Sequence, residues 1–184
     1  MLLKDYIPYI NKKFRNVFFS GISFNSSKIK KNDIFFAIKG NKIDGNKFIS
    51  IAIKKGSKII ITEKKVKEFQ NGILFIHTKN IRKLLSEVSF KIFNRIPKNL
   101  IAVTGTNGKS SIADFYYQIL KLNNKRVASI GTLGVKSNCL NLDLSNTTID
   151  PIQLGEILKK LKHQRIDNVI MAVSYTHLRA HETS

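Results

Sequence analysis

Hydrophobic residues in the first half of the chain come in short bursts separated by turn formers. Val17-Phe18-Phe19 and Asp33-Ile34-Phe35-Phe36-Ala37-Ile38 are rich in aromatic and β-branched residues and predict strands. Residues 46–55 carry Phe48, Ile51 and Ala52 at helical spacing, and Gly56 supplies the stop. Two apolar runs follow, Lys58-Ile59-Ile60-Ile61-Thr62 and Ile73-Leu74-Phe75-Ile76, each the length of a buried strand. Residues 81–93 then place Leu84, Leu85, Val88 and Ile92 on one helical face, and Pro97 marks a boundary.

Beyond Pro97 the rhythm changes. Leu100-Ile101-Ala102-Val103-Thr104 is a continuous apolar strand, residues 105–111 a tight glycine loop, and 111–122 an amphipathic helix. Arg126-Val127-Ala128-Ser129-Ile130 reads as the next strand, 151–161 as a helix, and Asn168-Val169-Ile170-Met171 as a further strand. Strands alternating with helices imply a parallel sheet covered on its faces. The reading is therefore α/β: a small mixed domain over 1–97, followed over 98–171 by the start of a parallel-sheet domain.

Composition changes this picture little. The chain has 184 residues, 42% hydrophobic and 24% charged, with no low-complexity tract. No run approaches the ~20 apolar residues of a membrane span, and the polar start lacks a secretory signal, so a cytoplasmic chain is expected. The single cysteine, Cys139, excludes an internal disulfide. His77 and His163 are read as ordinary strand-end and surface residues rather than ligands.

Charge raises a sharper question. Lys+Arg 32 against Asp+Glu 12 gives +20, a value that invites a nucleic-acid reading. The lysines are spread along the whole chain, as in Lys12-Lys13, Lys54-Lys55 and Lys64-Lys65, alongside abundant Ile and Asn. There is no recognition-helix pattern and no RNA-binding aromatic signature. A drift toward lysine accounts for the charge, and no nucleic-acid or membrane partner is expected.

The strongest chemical signal is Val103-Thr104-Gly105-Thr106-Asn107-Gly108-Lys109-Ser110-Ser111, set between a strand and a helix. Glycines let backbone amides approach phosphate oxygens, and a helix N-terminus aims its donors at them. Lys109 can reach the β- and γ-phosphates, and the Ser110 hydroxyl can bind Mg²⁺. The commoner spacing of phosphate loops would need glycine at 103, where Val103 stands.

The compact loop Thr104-Gly105-Thr106-Asn107-Gly108-Lys109-Ser110-Ser111 resembles that of the Mur ligases and of folylpolyglutamate synthetases. The resemblance to Mur ligases extends further. Ser129-Ile130-Gly131-Thr132-Leu133-Gly134 is similar to the segment after the second strand of their central domain. Asn146-Thr147-Thr148 with Asp150-Pro151 resembles the segment that holds the muramoyl-peptide substrate in the branch adding the third amino acid. In the first half, Asn25-Ser26-Ser27-Lys28-Ile29 resembles their D-S-R-K-V run. Asp33-Ile34-Phe35-Phe36-Ala37, Gly40, Asp44-Gly45 and Phe48 resemble the G-D-L-F-V-A…G…D-G…F pattern that follows it. Asn25 replaces the aspartate and Ser27 the arginine, a good phosphate ligand.

The resemblance implies an ATP-dependent ligase that adds meso-diaminopimelate or L-lysine to UDP-MurNAc-L-Ala-D-Glu through an acyl phosphate. It implies a UDP-binding first domain and an ATP-binding second one. Phe24, Ser26, Asn41, Lys42 and Ile43 would face the UDP end of the substrate, and Asn146, Thr147 and Thr148 the muramoyl dipeptide. Gly105, Thr106, Asn107, Gly108, Lys109, Ser110 and Ser111 would hold ATP, with Lys109 on transferring phosphate and Ser110 on Mg²⁺. A monomer acting on small molecules is expected. Alternatives are the ligase that adds the terminal D-Ala-D-Ala dipeptide, and a basic P-loop protein binding nucleotides or nucleic acid.

The end of the chain departs from this pattern. The family reads M-E-x-S-S-H, with the glutamate helping to bind Mg²⁺, where this chain reads Met171-Ala172-Val173-Ser174-Tyr175-Thr176-His177. The run 173–183 matches a translation of a transposon-based sequencing adaptor, so 172–184 is expected to be foreign to the fold. His177, His181 and Glu182 are accordingly discounted as a metal site. The rest of the central domain and the domain that selects the incoming amino acid are expected to be missing, leaving the chain inactive as a ligase.

Overall fold

The computed structural model describes residues 1–40, 43–131, 134–138, 141–142 and 149–172. The chain divides into two compact units, Met1–Lys91 and Ile92–Ser184. The division falls at the end of a helix, a few residues before the Pro97 of the sequence reading.

The first unit is built on a five-stranded sheet: β1 (Ile22–Ser23), β2 (Ile34–Phe36), β3 (Ile59–Thr62), β4 (Phe69–Gln70) and β5 (Ile73–His77). Their spatial order is β1-β2-β3-β5-β4, with β1, β2, β3 and β5 parallel and β4 antiparallel to β5. β2 and β3 are buried at every position, as their unbroken apolar runs require of parallel strands covered on both faces. Phe35, Ala37, Ile60 and Phe75 pack with Ile29 and Ala52, the latter from helix α2 (Ile49–Lys54). A short helix α1 (Leu3–Tyr6) precedes the sheet and α3 (Ile81–Ile92) follows it, turning Leu84, Leu85 and Val88 inward.

Two expectations are corrected here. Val17-Phe18-Phe19 is not a strand: Phe18 makes an isolated antiparallel bridge to Leu2, and the Phe19 N–H donates to Met1 O at 2.9 Å. Here the pairing is with the chain's own first residues rather than with the sheet, and the sheet strand begins after Gly21. The helix expected over 46–55 opens instead as a 3-10 turn, Gly45–Phe48, capped by the Asp44 carboxylate, and becomes α-helical only at Ile49.

The second unit carries β6 (Asn99–Val103), β7 (Val127–Gly131), β8 (Gly134–Ser137), β9 (Asn141–Leu142) and β10 (Asn168–Ala172), in the order β6-β10-β7-β8-β9. β10 lies between β6 and β7 and is parallel to both, so the β6-to-β7 connection skips one strand position that the chain fills later. Helices α4 (Lys109–Leu122) and α5 (Pro151–His163) are the crossovers. The parallel sheet expected from the alternation is present, extended by an antiparallel hairpin, β8 and β9, that the sequence reading lacked. Gly131 at the end of β7 and Gly134 at the start of β8 face each other in register where these two strands pair.

α5 starts where Asp150 accepts from the N–H groups of Ile152 and Gln153, both at 2.9 Å, with Pro151 in its first turn. Asp150 and Pro151 thus have a structural task of their own. Gly155 lets α5 approach Phe93: a Cβ there would lie 2.4 Å from Phe93 Cδ2 and 2.9 Å from Cγ. Gly155→Ala gains about 1 kcal/mol of helical propensity but overpacks that contact by roughly 1–3 kcal/mol. A net loss of stability is expected in urea denaturation, and an unchanged or higher midpoint would contradict the packing.

Asp167 ties the start of the parallel sheet together. It pairs with Lys162, and its Oδ1 accepts from the Lys98 N–H at 3.2 Å, while its carbonyl accepts from Asn99 N–H at 2.8 Å. The Lys162 hydrogen bond, then the Lys98 N–H and the charges of both lysines, hold the carboxyl below the usual carboxylate range. A lowered folded-state pKa contributes stability that is complete above the unfolded value of about 3.9 and lost as pH falls through the folded one. Asp167→Asn should therefore lower the denaturation midpoint at pH 7 and flatten its decline in that acid window. An equally steep decline in the variant would show that Asp167 is not responsible.

Candidate functional site

In the second unit, residues 104–108 link β6 to α4. Gly105 has φ of +150° and Gly108 φ of +78°, conformations that side chains with a Cβ rarely adopt. Neither glycine is crowded: a Cβ at Gly108 would meet nothing within 4 Å. Backbone geometry, not space, requires glycine there. Gly108 is also the N-cap of α4 and has no side chain to cap it, so the first-turn amides of a 14-residue helix face outward with their partial positive charge.

Lys109 folds back over the loop. Its Nζ donates to Gly105 O at 2.6 Å and Thr106 O at 3.2 Å, which places the ammonium in the cradle formed by residues 105–108. Thr106, Asn107, Ser110 and Ser111 are exposed around it. All seven residues assigned to ATP by sequence are thus gathered at one point, and the donors present are those that suit a polyphosphate.

The carboxyl ends of three parallel strands meet beside this loop. Ala172, the last residue of β10, is in register with Val103, and a Cβ built on Gly131 at the end of β7 would lie 3.6 Å from Ala172 Cβ. Position 172 therefore lies at the carboxyl end of β10, between the ends of β6 and β7. Alanine offers no ligand there, and among the described residues no group of three or more His, Cys, Asp or Glu could hold a metal. The single hydroxyl of Ser110 fits Mg²⁺ only as one contact among those that a nucleotide's phosphates supply.

In the first unit the loops after β1 and β2 leave the same edge of the sheet, because Ser23 is in parallel register with Phe35. The carboxyl edge of a parallel sheet is where ligands of α/β folds bind. After β1, Asn25 Oδ1 accepts from Ser27 N–H at 2.9 Å and from Ser27 Oγ at 2.8 Å. This turn presents Phe24, exposed, and Ser26, half-buried. Asparagine at 25 supplies the acceptor an aspartate would. Lys55 Nζ donates to Ser27 O at 2.8 Å, which puts a cation at the turn even though position 27 carries serine.

After β2 the chain closes a loop by pairing Lys39 with Asp44 and donating Gly40 N–H to Ile43 O at 2.9 Å. Ile43 projects from it, 61% exposed. Asn41 and Lys42 lie outside the described residues, as do Asn146, Thr147, Thr148, Thr132 and Leu133.

Sequence reasoning missed the network that braces this loop. Asp44 Oδ1 accepts from Asn46 Nδ2 at 2.7 Å and Asn46 N–H at 2.9 Å, and Asn46 Oδ1 accepts from Thr62 Oγ1 at 2.8 Å at the end of β3. Those Asn46 bonds, with Lys64 and Lys39 nearby, hold the Asp44 carboxyl below the ordinary carboxylate range. Arg82 adds a bond to Lys39 O at 3.2 Å. The Asp44-Gly45 pair was visible in the sequence, but the Thr62–Asn46 and Arg82–Lys39 bonds that complete the brace span 16 and 43 residues of chain.

Comparison with known proteins agrees with this geometry. Residues 19–98 match the profile described as Mur ligase family, catalytic domain, and residues 103–184 that of the Mur ligase middle domain. A UDP-N-acetylmuramoyl-L-alanyl-D-glutamate–2,6-diaminopimelate ligase of Rickettsia typhi (strain ATCC VR-144 / Wilmington) is 35% identical over 169 residues, 90% of this chain. One of the same name from Wigglesworthia glossinidia brevipalpis is 37% identical over 183 residues, 94% of this chain. The chain spans about a third of these relatives' length, 34% and 36%. A solved structure of a ligase of that name aligns with a TM-score of 0.81 at 23% identity, covering 98% of this chain and 37% of its own. MurF ligase from Thermotoga maritima in complex with ADP aligns over 87% of this chain and 35% of its own, with a TM-score of 0.52 at 17% identity.

Proposed function

Because the chain belongs to the Mur ligase family, we propose that it is the UDP-substrate and ATP-binding part of a cytoplasmic ligase that extends a peptidoglycan precursor. The substrate is UDP-MurNAc-L-Ala-D-Glu, and the relatives' names supply 2,6-diaminopimelate as the amino acid added. The observation that carries the reading is the loop 104–108. Two positive-φ glycines and the Lys109 ammonium sit at the uncapped start of a long helix.

ATP would supply the phosphoryl group that activates the D-glutamyl carboxylate for attack by the incoming amine. The amides at 105–111 orient the polyphosphate, Lys109 balances charge on the transferring phosphoryl, and Ser110 contributes one oxygen to Mg²⁺. Phe24, Ser26 and the 41–43 loop hold the UDP end, and Asn146, Thr147 and Thr148 the muramoyl dipeptide. The domain boundary is placed near Pro97, and 172–184 is assigned to the adaptor-like run rather than to the ligase. Residue 172 is then the position of the missing glutamate, so the chain alone binds substrates as a monomer without joining them.

The terminal-dipeptide ligase and a nucleic-acid-binding P-loop protein are not favoured by any feature of the two sites. A chimera tests the proposal: residues 1–171 of this chain replace the matching part of the Rickettsia typhi relative. Phosphate release dependent on UDP-MurNAc-L-Ala-D-Glu and diaminopimelate is expected. A folded chimera that binds neither ATP nor the UDP substrate would overturn it.

A further inference from the structure

Three segments of the first unit meet at the β4 edge of its sheet. Asn11 caps a single 3-10 turn, Lys12–Phe14, by accepting the Lys13 N–H at 3.1 Å, and its Nδ2 donates to Glu68 Oε2 at 3.1 Å. Phe14 and Phe69 stack, with ring centroids 5.7 Å apart and planes 27° from parallel. The Phe75 N–H donates to Glu68 O at 2.7 Å, so residues 64–68 lead into β4 alongside β5. Tyr9 reaches the end of β5, where it lines a hollow with His77, Lys79 and Lys83.

The side chains collected here are of two kinds. Residues 9–15 and 64–69 carry six Lys or Arg and one acid, Glu68, which is bonded to Asn11. Lys12, Lys13, Arg15, Lys65 and Lys67 are exposed, and none has an ion-pair partner among the described residues. Apolar groups stand in water among them: Tyr9 is 57%, Val66 42% and Phe69 49% exposed. A drift toward lysine explains charge spread along the chain. It does not explain why cations and exposed apolar side chains are interleaved at one corner.

From this convergence we infer that the corner formed by 9–15, 64–69 and the end of β5 is a docking surface for an anionic lipid membrane. The cations lie against the headgroups, while Tyr9, Val66 and Phe69 enter the boundary between headgroups and acyl chains. The contact is peripheral, since no helix among the described residues is long and apolar enough to cross a membrane. It replaces the expectation of no membrane partner, which rested on the missing span. A nucleic acid suits the corner less well, because Phe14 and Phe69 stack on each other and leave no slot between them for a base. A second copy of the chain would bring +20 against +20.

The test measures sedimentation of the intact chain with vesicles of phosphatidylglycerol in phosphatidylcholine, against phosphatidylcholine alone. Saturable binding to the anionic vesicles only is expected, weakened by salt. One lysine near an anionic surface contributes roughly fivefold in affinity, so Lys12→Gln/Lys13→Gln/Lys67→Gln should bind about a hundredfold more weakly. Its circular dichroism should not change. The same charge removed from the second unit, in Lys125→Gln/Lys159→Gln/Lys160→Gln, should cost no more than about fivefold. The chain has no tryptophan, so Val66→Trp supplies a single reporter, and its emission should shift to the blue on anionic vesicles. Ile51→Trp, on α2, should not shift. The inference is overturned by no sedimentation with anionic vesicles, by equal losses in the two triple variants, or by an unshifted reporter at 66. Tighter binding of a single-stranded oligonucleotide than of the vesicles, at the same salt, would overturn it as well. None of these readouts uses ATP or the UDP substrate, so the result stands apart from the ligase reading.

Discussion

Lys109→Ala is expected to lower ATP affinity by tenfold to a hundredfold while the second unit stays folded. The side chain's two partners are carbonyls of its own exposed loop, Gly105 and Thr106, so its removal leaves no buried group without a partner. Stability should move by no more than about 0.5 kcal/mol, as for surface changes generally. Bound triphosphate is different. Hydrogen bonds to charged groups contribute about 1.5–3 kcal/mol, which corresponds to that fall in affinity. Arginine should not restore binding fully, because its planar fork does not replace a compact ammonium within a tight loop. Calorimetric titration with ATP and Mg²⁺ reads the outcome, and unaltered affinity in the alanine variant would remove the loop from the phosphate site.

Gly45→Ala should be the most damaging single methyl in the first unit. A Cβ there would lie 2.4 Å from Ile38 O and 2.8 Å from Ile38 N, both backbone atoms that cannot turn aside. The same Ile38 carbonyl accepts the Gly45 N–H at 2.9 Å, so relief of the clash breaks the bond that closes the loop. Overpacking of this kind costs roughly 1–3 kcal/mol. The loop it displaces carries Ile43, so affinity for the UDP substrate should fall as well. Gly72→Ala is the control: φ is +76° but a Cβ would meet nothing within 4 Å. It should cost backbone strain of about 1–2 kcal/mol and leave substrate affinity unchanged. Equal binding losses in both variants would show that the effect is general destabilisation.

How legible each part was depended on how local its cause is. The strands over Ile59–Thr62 and Ile73–His77 were readable because unbroken apolar runs call for burial, and Ile59–Thr62 and Leu74-Phe75-Ile76 are buried. The phosphate loop was readable because its glycines, lysine and serines are contiguous, and its geometry depends on dihedrals those residues themselves set. Val17-Phe18-Phe19 misled because strand propensity does not reveal the pairing partner, here Met1 and Leu2. The apolar run over residues 100–103 read as buried, although only topology decides that β6 lies at an edge. The Asp44, Asn46 and Thr62 brace was invisible for the same reason: Thr62 reaches Asn46 through strand order and not through spacing.

The measurement closest to the central claim is a titration of the intact chain with UDP-MurNAc-L-Ala-D-Glu, compared with UMP and with duplex DNA at two salt concentrations. The account predicts saturable 1:1 binding of the muramoyl dipeptide, tighter than UMP and lost in Gly45→Ala. It predicts DNA association no stronger than the chain's +20 charge produces, and abolished by salt. Absence of muramoyl-dipeptide binding by the folded chain, with DNA binding that persists at high salt, would contradict it.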